Sequence, residues 1–364
     1  MKNFPIVLVV VAILGAGAWM LLRPPDLPPL PSASATAPAT SAPRVPPASS
    51  KLSASAVLSI DPRSVRAPDR ASVRPTLYRE FLGAKQLKAL YDRLKATPEG
   101  QTPEGWFVLY EMLRKCATIT GGDARPAWRT APKREDFVAN VPATDPQRDK
   151  RIAAFDDIEA NRCAGFEGVA ATRADLNRLL ADAAMGGDAK ARAVMIEQEL
   201  WAARRASGAE GRWGRDNVTL SDAHVQSLEQ ILATRDPGAM VIAGRLLSNS
   251  WHDFSIRIGG ADGQIAEPRA LYNAWQVLAC DYGYPCGTDN NRVLSECAFQ
   301  GHCDAASLQD YLYYYGSSPH DSQLVSQYQA ILRHAVESGD WSQVTVVRGP
   351  RPAGSPRLMF GPGR

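Results

Sequence analysis

From Leu77 onward the apolar positions recur mostly at the three-to-four-residue spacing of a helix. Leu77, Tyr78, Phe81, Leu82, Leu87, Leu90, Tyr91 and Leu94 form one such stripe. Thr102-Pro103-Glu104 opens a second helix, with threonine as N-cap and proline in the first turn. Its stripe is Trp106, Leu109, Tyr110, Leu113 and Cys116. Further helices are predicted over Arg148–Cys163, Ala174–Ala184, Ala189–Ala203, Asp222–Thr234, Pro237–Leu247, Arg269–Cys280, Asn291–Phe299, Ala305–Tyr315 and Asp321–Glu337. Strand signals are few. Phe254–Ile258 before Gly259-Gly260 predicts one arm of a hairpin, and Val344–Val347 a short extended tail.

The N-terminal pattern is different. Phe4–Leu22 is an uncharged apolar run of 19 residues. About 20 apolar helical residues span a bilayer, whereas a signal-peptide core holds about 7–15. Trp19 lies near the far end, and Lys2 precedes the run, which favours a cytoplasmic N-terminus. The expectation is an uncleaved single-span anchor over residues 1–23; a signal cleaved within Ser32–Ala39 is the alternative. No cysteine lies near the run to accept a lipid. A Pro/Ala/Ser-rich linker follows over residues 24–73. At about 3.1 Å per residue, a polyproline stretch of this kind reaches on the order of 90 Å. Inside it, Leu52–Ile60 alternates apolar and small polar residues, as a short strand or extended arm does. The folded body is expected over 74–341 and a basic flexible tail over 342–364.

With 45% hydrophobic and 22% charged residues, the chain is ordinary for a globular protein, which excludes a disordered, collagen-like or multi-span membrane class. The net charge of +3 is too balanced for a dedicated nucleic-acid binder. The charge is segregated, however. Residues 75–341 hold 29 basic and 35 acidic residues, while 23–74 and 342–364 each carry a net +4. Such flanks are solvated tails or contacts to anionic lipid headgroups.

Six cysteines follow the apolar run: Cys116, Cys163, Cys280, Cys286, Cys297 and Cys303. An even number in an exported chain argues for disulfides, although six cysteines allow 15 pairings. The last four read C-x5-C-x10-C-x5-C, and each pair begins at a predicted helix end. Spacing therefore favours Cys280–Cys286 and Cys297–Cys303, leaving Cys116–Cys163 to join distant helices. The alternative is a zinc site built on the last four cysteines and His302. It fits poorly, because paired zinc ligands are usually two to four residues apart.

The helix pairs carry a faint repeat. Leu179–Met195 aligns with Glu229–Ala243 at an offset of 48, so Asp188 meets Asp236, Ala191 meets Ala239 and Val194 meets Ile242. Another 48 on, Ala279-Cys280-x-x-Gly283 meets Ala183-Ala184-x-x-Gly187. Small residues let neighbouring helices cross closely, and stacked pairs share one core. The A-A-x-x-G-D-x-x-A stretch at Ala183–Ala191 resembles the inter-helix turn of Sel1-like repeats, relatives of the tetratricopeptide repeats. Ala279–Cys286 is similar to the cysteine-stapled Sel1-like proteins of bacterial envelopes. The resemblance covers about Asp175–Asp304. It departs from the family in its longer period and in lacking the glycine-rich signature of each unit. It implies an α-solenoid that binds other proteins on a concave face, with no active site to carry over. The fold class expected is all-α: an irregular helical-hairpin, solenoid-like array after the transmembrane helix and Pro-rich linker.

Catalytic motifs are absent: the sequence has no H-E-x-x-H, no G-x-S-x-G, no P-loop and no G-x-G-x-x-G after a strand. Trp251-His252-Asp253 places an imidazole beside a carboxylate, yet no nucleophile is identifiable, and a helix-capping loop explains it better. His302 reads as a turn residue. Glu197 and Glu199, two apart on a helix, face different ways and make a poor acid/base pair. Tyr311–Tyr315, and tryptophans 106, 128, 201, 213, 251, 275 and 341, read mainly as core.

The leading expectation is thus a non-enzymatic protein-binding or scaffold module of the bacterial envelope, without cofactor, metal or nucleic acid. It sits in the inner membrane with its domain in the periplasm, or is secreted after cleavage, and it engages an envelope protein. The alternative is an envelope enzyme such as a peptidoglycan hydrolase using Asp253 or Glu167 in a cleft. A tether or toxin-neutralising partner is a third.

Overall fold

The computed structural model describes residues 56–57, 76–120, 133–158, 161–206, 219–249 and 253–349. The expected anchor (1–23), nearly all of the linker, most of the basic tail, and Trp128, Trp213, Trp251 and His252 lie outside the described residues. Among the described residues, no helix is long and apolar enough to cross a membrane.

The described chain is mostly helical. It runs β1 (Ala56–Val57), α1 (Leu77–Gly83), α2 (Leu87–Ala96), α3 (Pro103–Cys116), β2 (Thr118–Thr120), α4 (Arg134–Asn140) and α5 (Arg148–Asp157). Then come β3 (Ala170–Thr172), α6 (Arg173–Met185), α7 (Ala189–Ala206), α8 (Asp222–Ala233), α9 (Pro237–Leu247), β4 (Phe254–Ile258) and β5 (Gln264–Ile265). The last elements are α10 (Pro268–Asp281), α11 (Asn291–Gln300), α12 (Leu308–Tyr314), α13 (Pro319–Ser338) and β6 (Val344–Arg348). Short 3₁₀ turns occupy Pro98–Gln101 and Asn161–Cys163.

Local chemistry sets these boundaries. The Thr102 hydroxyl accepts from the Gly105 amide at 3.0 Å, and the Asp236 carboxylate from the Ala239 amide at 2.8 Å. Thr172 with Asp175 and Ser318 with Asp321 close reciprocal capping boxes. Gly301 and Gly339 end α11 and α13 in the left-handed region, where glycine has no Cβ penalty.

The helices stack pairwise. α6 packs on α3 and α7; α7 on α8 and α9; α9 on α10; and α10 on α13. One buried cluster runs continuously from Phe107 to Val346. The crossings rely on small residues, as the repeat requires: Ala183, Ala191, Ala193, Ala239, Ala243 and Ala274 are fully buried. A Cβ on Gly244 would sit 2.4 Å from Trp275, so only glycine permits that α9–α10 approach.

The 48-residue offset is visible in the backbone. Gly187, Arg235 and Gly283 occupy the same place after α6, α8 and α10, and all three have positive φ, at 95°, 56° and 96°. Asp188 and Asp236 also coincide, each accepting from the amide three residues on at 2.8 Å. A Cβ on Gly187 would meet nothing within 4 Å, so Gly187→Ala isolates the backbone cost. It is expected to lower stability by about 1 kcal/mol, read as the urea midpoint of the full chain.

Four expected elements need correction. The predicted 77–94 helix breaks into α1 and α2, because Ala84 and Gln86 are extended. The helix expected over Arg148–Cys163 stops at Asp157. α12 begins at Leu308 rather than Ala305, where the Ser307 hydroxyl caps it. Val344–Val347, expected as a short extended tail, is extended but internal: β6 lies inside a four-stranded sheet, order β1-β6-β4-β5. Val344 and Val346 are buried in the core beneath α13, so the folded body extends past 341 to Gly349. Within the linker, the strand signal at Leu52–Ile60 is met at Ala56–Val57, which pairs antiparallel with β6. The hairpin arm at Phe254–Ile258 does form, as β4 paired with β5. Pattern reading missed α4 and the parallel β2–β3 pair, both very short.

Candidate binding face

All six cysteines are bonded, as Cys116–Cys163, Cys280–Cys286 and Cys297–Cys303. Three disulfides are the pattern of a chain that matures in an oxidising, extracytoplasmic space. Cys280–Cys286 ties the end of α10 to the loop before α11, and Cys297–Cys303 ties the end of α11 to the loop before α12. The two staples thus fix the ends of two helices to the loops that follow them, next to α12.

Those helices carry a connected polar network. Arg292 on α11 donates from Nη1 to Gln276 Oε1 at 2.6 Å and to Asn273 Oδ1 at 3.2 Å, both on α10. The Gln276 amide in turn donates to the Tyr272 hydroxyl at 3.2 Å. The Arg292 guanidinium lies over the Tyr311 ring of α12, 5.4 Å from its centroid. Burial, then the nearby Glu296, raises the Tyr311 hydroxyl pKa, and Arg292 partly offsets this. His302 stacks on Tyr315 at 4.8 Å, with Nδ1 3.7 Å from Glu296.

Further polar pairs lie on the earlier helices. Arg245 on α9 grips Glu197 on α7 through two bonds, 2.6 and 3.1 Å. These residues are 48 apart, so the pair joins equivalent positions of successive units. Crowding by protein atoms opposes the Arg245 charge, yet Glu197, Tyr272 and Glu111 raise its pKa. Glu111 on α3 is buried; burial opposes its charge, but Lys115 and Arg114 win and lower its pKa to about 2. Beside it, burial lifts the Tyr110 hydroxyl to about 12, and Gln198 of α7 bonds to it at 3.0 Å. The result is a band of arginine, tyrosine and glutamate running from α3 through α7, α9, α10 and α11 to α12. Arg245 and Tyr315 are about half exposed, and Tyr314 almost fully so.

No protein-family model, curated protein or solved structure matches this chain.

A second polar centre is structural. Lys190 in the first turn of α7 is 3% exposed. Its Nζ lies 2.9 Å from Asp236, 3.1 Å from Asp188 and 3.9 Å from Glu104, and stands over the rings of Tyr78 and Phe107. Glu104, Asp188 and Asp236 belong to the N-terminal ends of α3, α7 and α9. One ammonium therefore holds three helix ends together. Burial works against its charge, but Asp236 and Asp188 outweigh this and raise the Lys190 pKa. Burial likewise raises Asp188, partly offset by Lys190.

The other sequence candidates are scattered. Glu199 pairs with His224 at 3.0 Å, away from the Glu197–Arg245 pair, so the two glutamates do serve different partners. Glu167 is exposed in the turn before β3. Asp253 precedes β4, where burial raises its carboxyl and its carbonyl accepts from the Gly349 amide at 3.0 Å. Trp275 and Trp341 are core residues, stacked at 6.4 Å. Among the described residues, no group of three or more His, Cys, Asp or Glu could hold a metal. Sequence reasoning missed Arg292, Arg245 and Lys190. The signal for Lys190 was a cation set among the alanines of Ala189–Ala193, a stretch it shares with Arg192.

Proposed function

We propose that this chain is an inner-membrane-anchored, periplasmic helical-repeat module, of Sel1-like character, that binds another envelope protein through the arginine–tyrosine band. The observation that carries this reading is the band itself: the Arg245–Glu197 pair, the Arg292–Gln276–Tyr272 chain and the His302–Tyr315 stack lie on successive helices, and the ends of α10 and α11 are disulfide-stapled. Arginine and tyrosine are enriched where proteins meet, because each offers large contact area and directed hydrogen bonds. The 19-residue apolar run supports membrane attachment, and the Pro-rich linker lifts the body toward its partner. The test is affinity capture with the full chain in detergent. A protein retained by wild type is expected to fall at least tenfold in the Arg245→Glu/Tyr315→Ala variant, a change of about 1.4 kcal/mol or more. Unchanged recovery with the folded variant contradicts the reading.

A further inference from the structure

Within that band, Arg292 differs from Arg114 and Arg245. Each of those pairs with a carboxylate at 2.8 Å or less. Arg292 has no ion-pair partner among the described residues; its hydrogen-bond acceptors there are the amide oxygens of Asn273 and Gln276, both reached by Nη1. A guanidinium carries five N–H donors in a planar fork, so part of the fork is left open. Asn273 gives an independent indication. It is 1% exposed, its Oδ1 faces Arg292, and Nδ2 of the same amide has no hydrogen-bond partner. A buried amide N–H left unpaired is costly, so a buried donor beside an open guanidinium signals a missing acceptor.

We infer that Arg292 and Asn273 form a carboxylate-binding site for a partner peptide. A carboxylate offers two coplanar acceptor oxygens, which match the guanidinium fork and leave lone pairs for the Asn273 amide. Gln276 and the Tyr311 ring hold the guanidinium in place, and the Cys280–Cys286 and Cys297–Cys303 staples tie down the ends of α10 and α11. Glu296, one turn further along α11, lies 3.7 Å from His302 and makes no ion pair with Arg292. The chemistry fits either a chain-terminal carboxylate or an acidic side chain.

This inference rests on reading the band as a partner surface, and the experiment separates the two. The full chain in detergent is exposed to three random octapeptide pools. One has free C-termini and no acidic residues, one is amidated with a single glutamate, and one is amidated and without any acid. Retention of at least one carboxylate pool is expected to exceed the neutral pool about tenfold, the worth of one charge-assisted contact. The favoured pool identifies the carboxylate's source. Arg292→Gln is expected to abolish the preference, Asn273→Leu to reduce it, and Arg292→Lys, which keeps the charge without the fork, to restore it in part. Thermal midpoints report that each variant is folded. Equal retention of all three pools, or a preference that survives in Arg292→Gln, overturns the site while leaving the partner surface standing. Retention of no pool overturns both.

Discussion

Lys190→Met is expected to destabilise the folded domain by about 3–5 kcal/mol, because removing one member of a buried ion cluster leaves its partners uncompensated. Here two close carboxylates, Asp188 and Asp236, and a third at 3.9 Å, Glu104, would share a space with no cation. The substitution preserves length and apolar bulk over Tyr78 and Phe107, so lost packing is a small part of the effect. The pH dependence gives the mechanism away. A raised lysine pKa contributes stability that is present below the unfolded value, about 10.4, and lost as pH rises through the folded value. Wild type is therefore expected to weaken above about pH 10, and the variant to lose that step. A raised aspartate pKa acts on the acid side: its contribution is present below about 3.9 and lost as pH rises through the folded value. Without Lys190 the upward shift of Asp188 grows. The variant should accordingly regain part of its deficit as pH falls from 7 toward 4. Urea midpoints across pH 4–11 check both arms, and a variant deficit independent of pH would show that the cluster is not electrostatic.

The second large effect belongs to Cys116–Cys163. It closes a loop of 47 residues, against six for each of the other two bonds. Loop-closure entropy assigns about 4 kcal/mol to the long loop and about 2 kcal/mol to a short one. The long bond also joins the end of α3 to the turn after α5 and flanks the β2–β3 pair. Cys116→Ala/Cys163→Ala should thus cost roughly twice what Cys280→Ala/Cys286→Ala costs, measured by urea unfolding without reductant. Equal losses would mean that local strain or packing, rather than chain entropy, sets the contribution of each bond.

Much of the helical body was legible because its signals are local. α9 begins and ends where Asp236-Pro237 and Leu247 place it, and Thr102 caps α3 as its spacing implies. The 48-residue repeat was legible too, since the left-handed position after a helix leaves a glycine at 187 and 283. At 235 the same conformation is held by arginine, which hid the middle copy of that mark. The strands were harder. β6 is five residues of Val-Thr-Val-Val-Arg at the border of a basic tail, and only the sheet partners β1 and β4 make it core. The candidate face was least legible, because no motif marks it. Arg245 and Glu197 meet only when one unit stacks on the next, and Arg292 finds Asn273 only across α10 and α11. Lys190 reads as a surface lysine until Asp188 and Asp236, from successive units, close around it.

The most direct test of the central claim is photo-crosslinking in the intact envelope, with a photoreactive phenylalanine at position 315 of the full chain and, as control, at position 185. Tyr315 belongs to the arginine–tyrosine band, whereas Met185 is 79% exposed at the far end of α6. The account predicts a discrete adduct to one envelope protein from position 315, lost when Arg245 is changed to glutamate, and none from position 185. Equal adducts from both positions, or none from position 315, would contradict it.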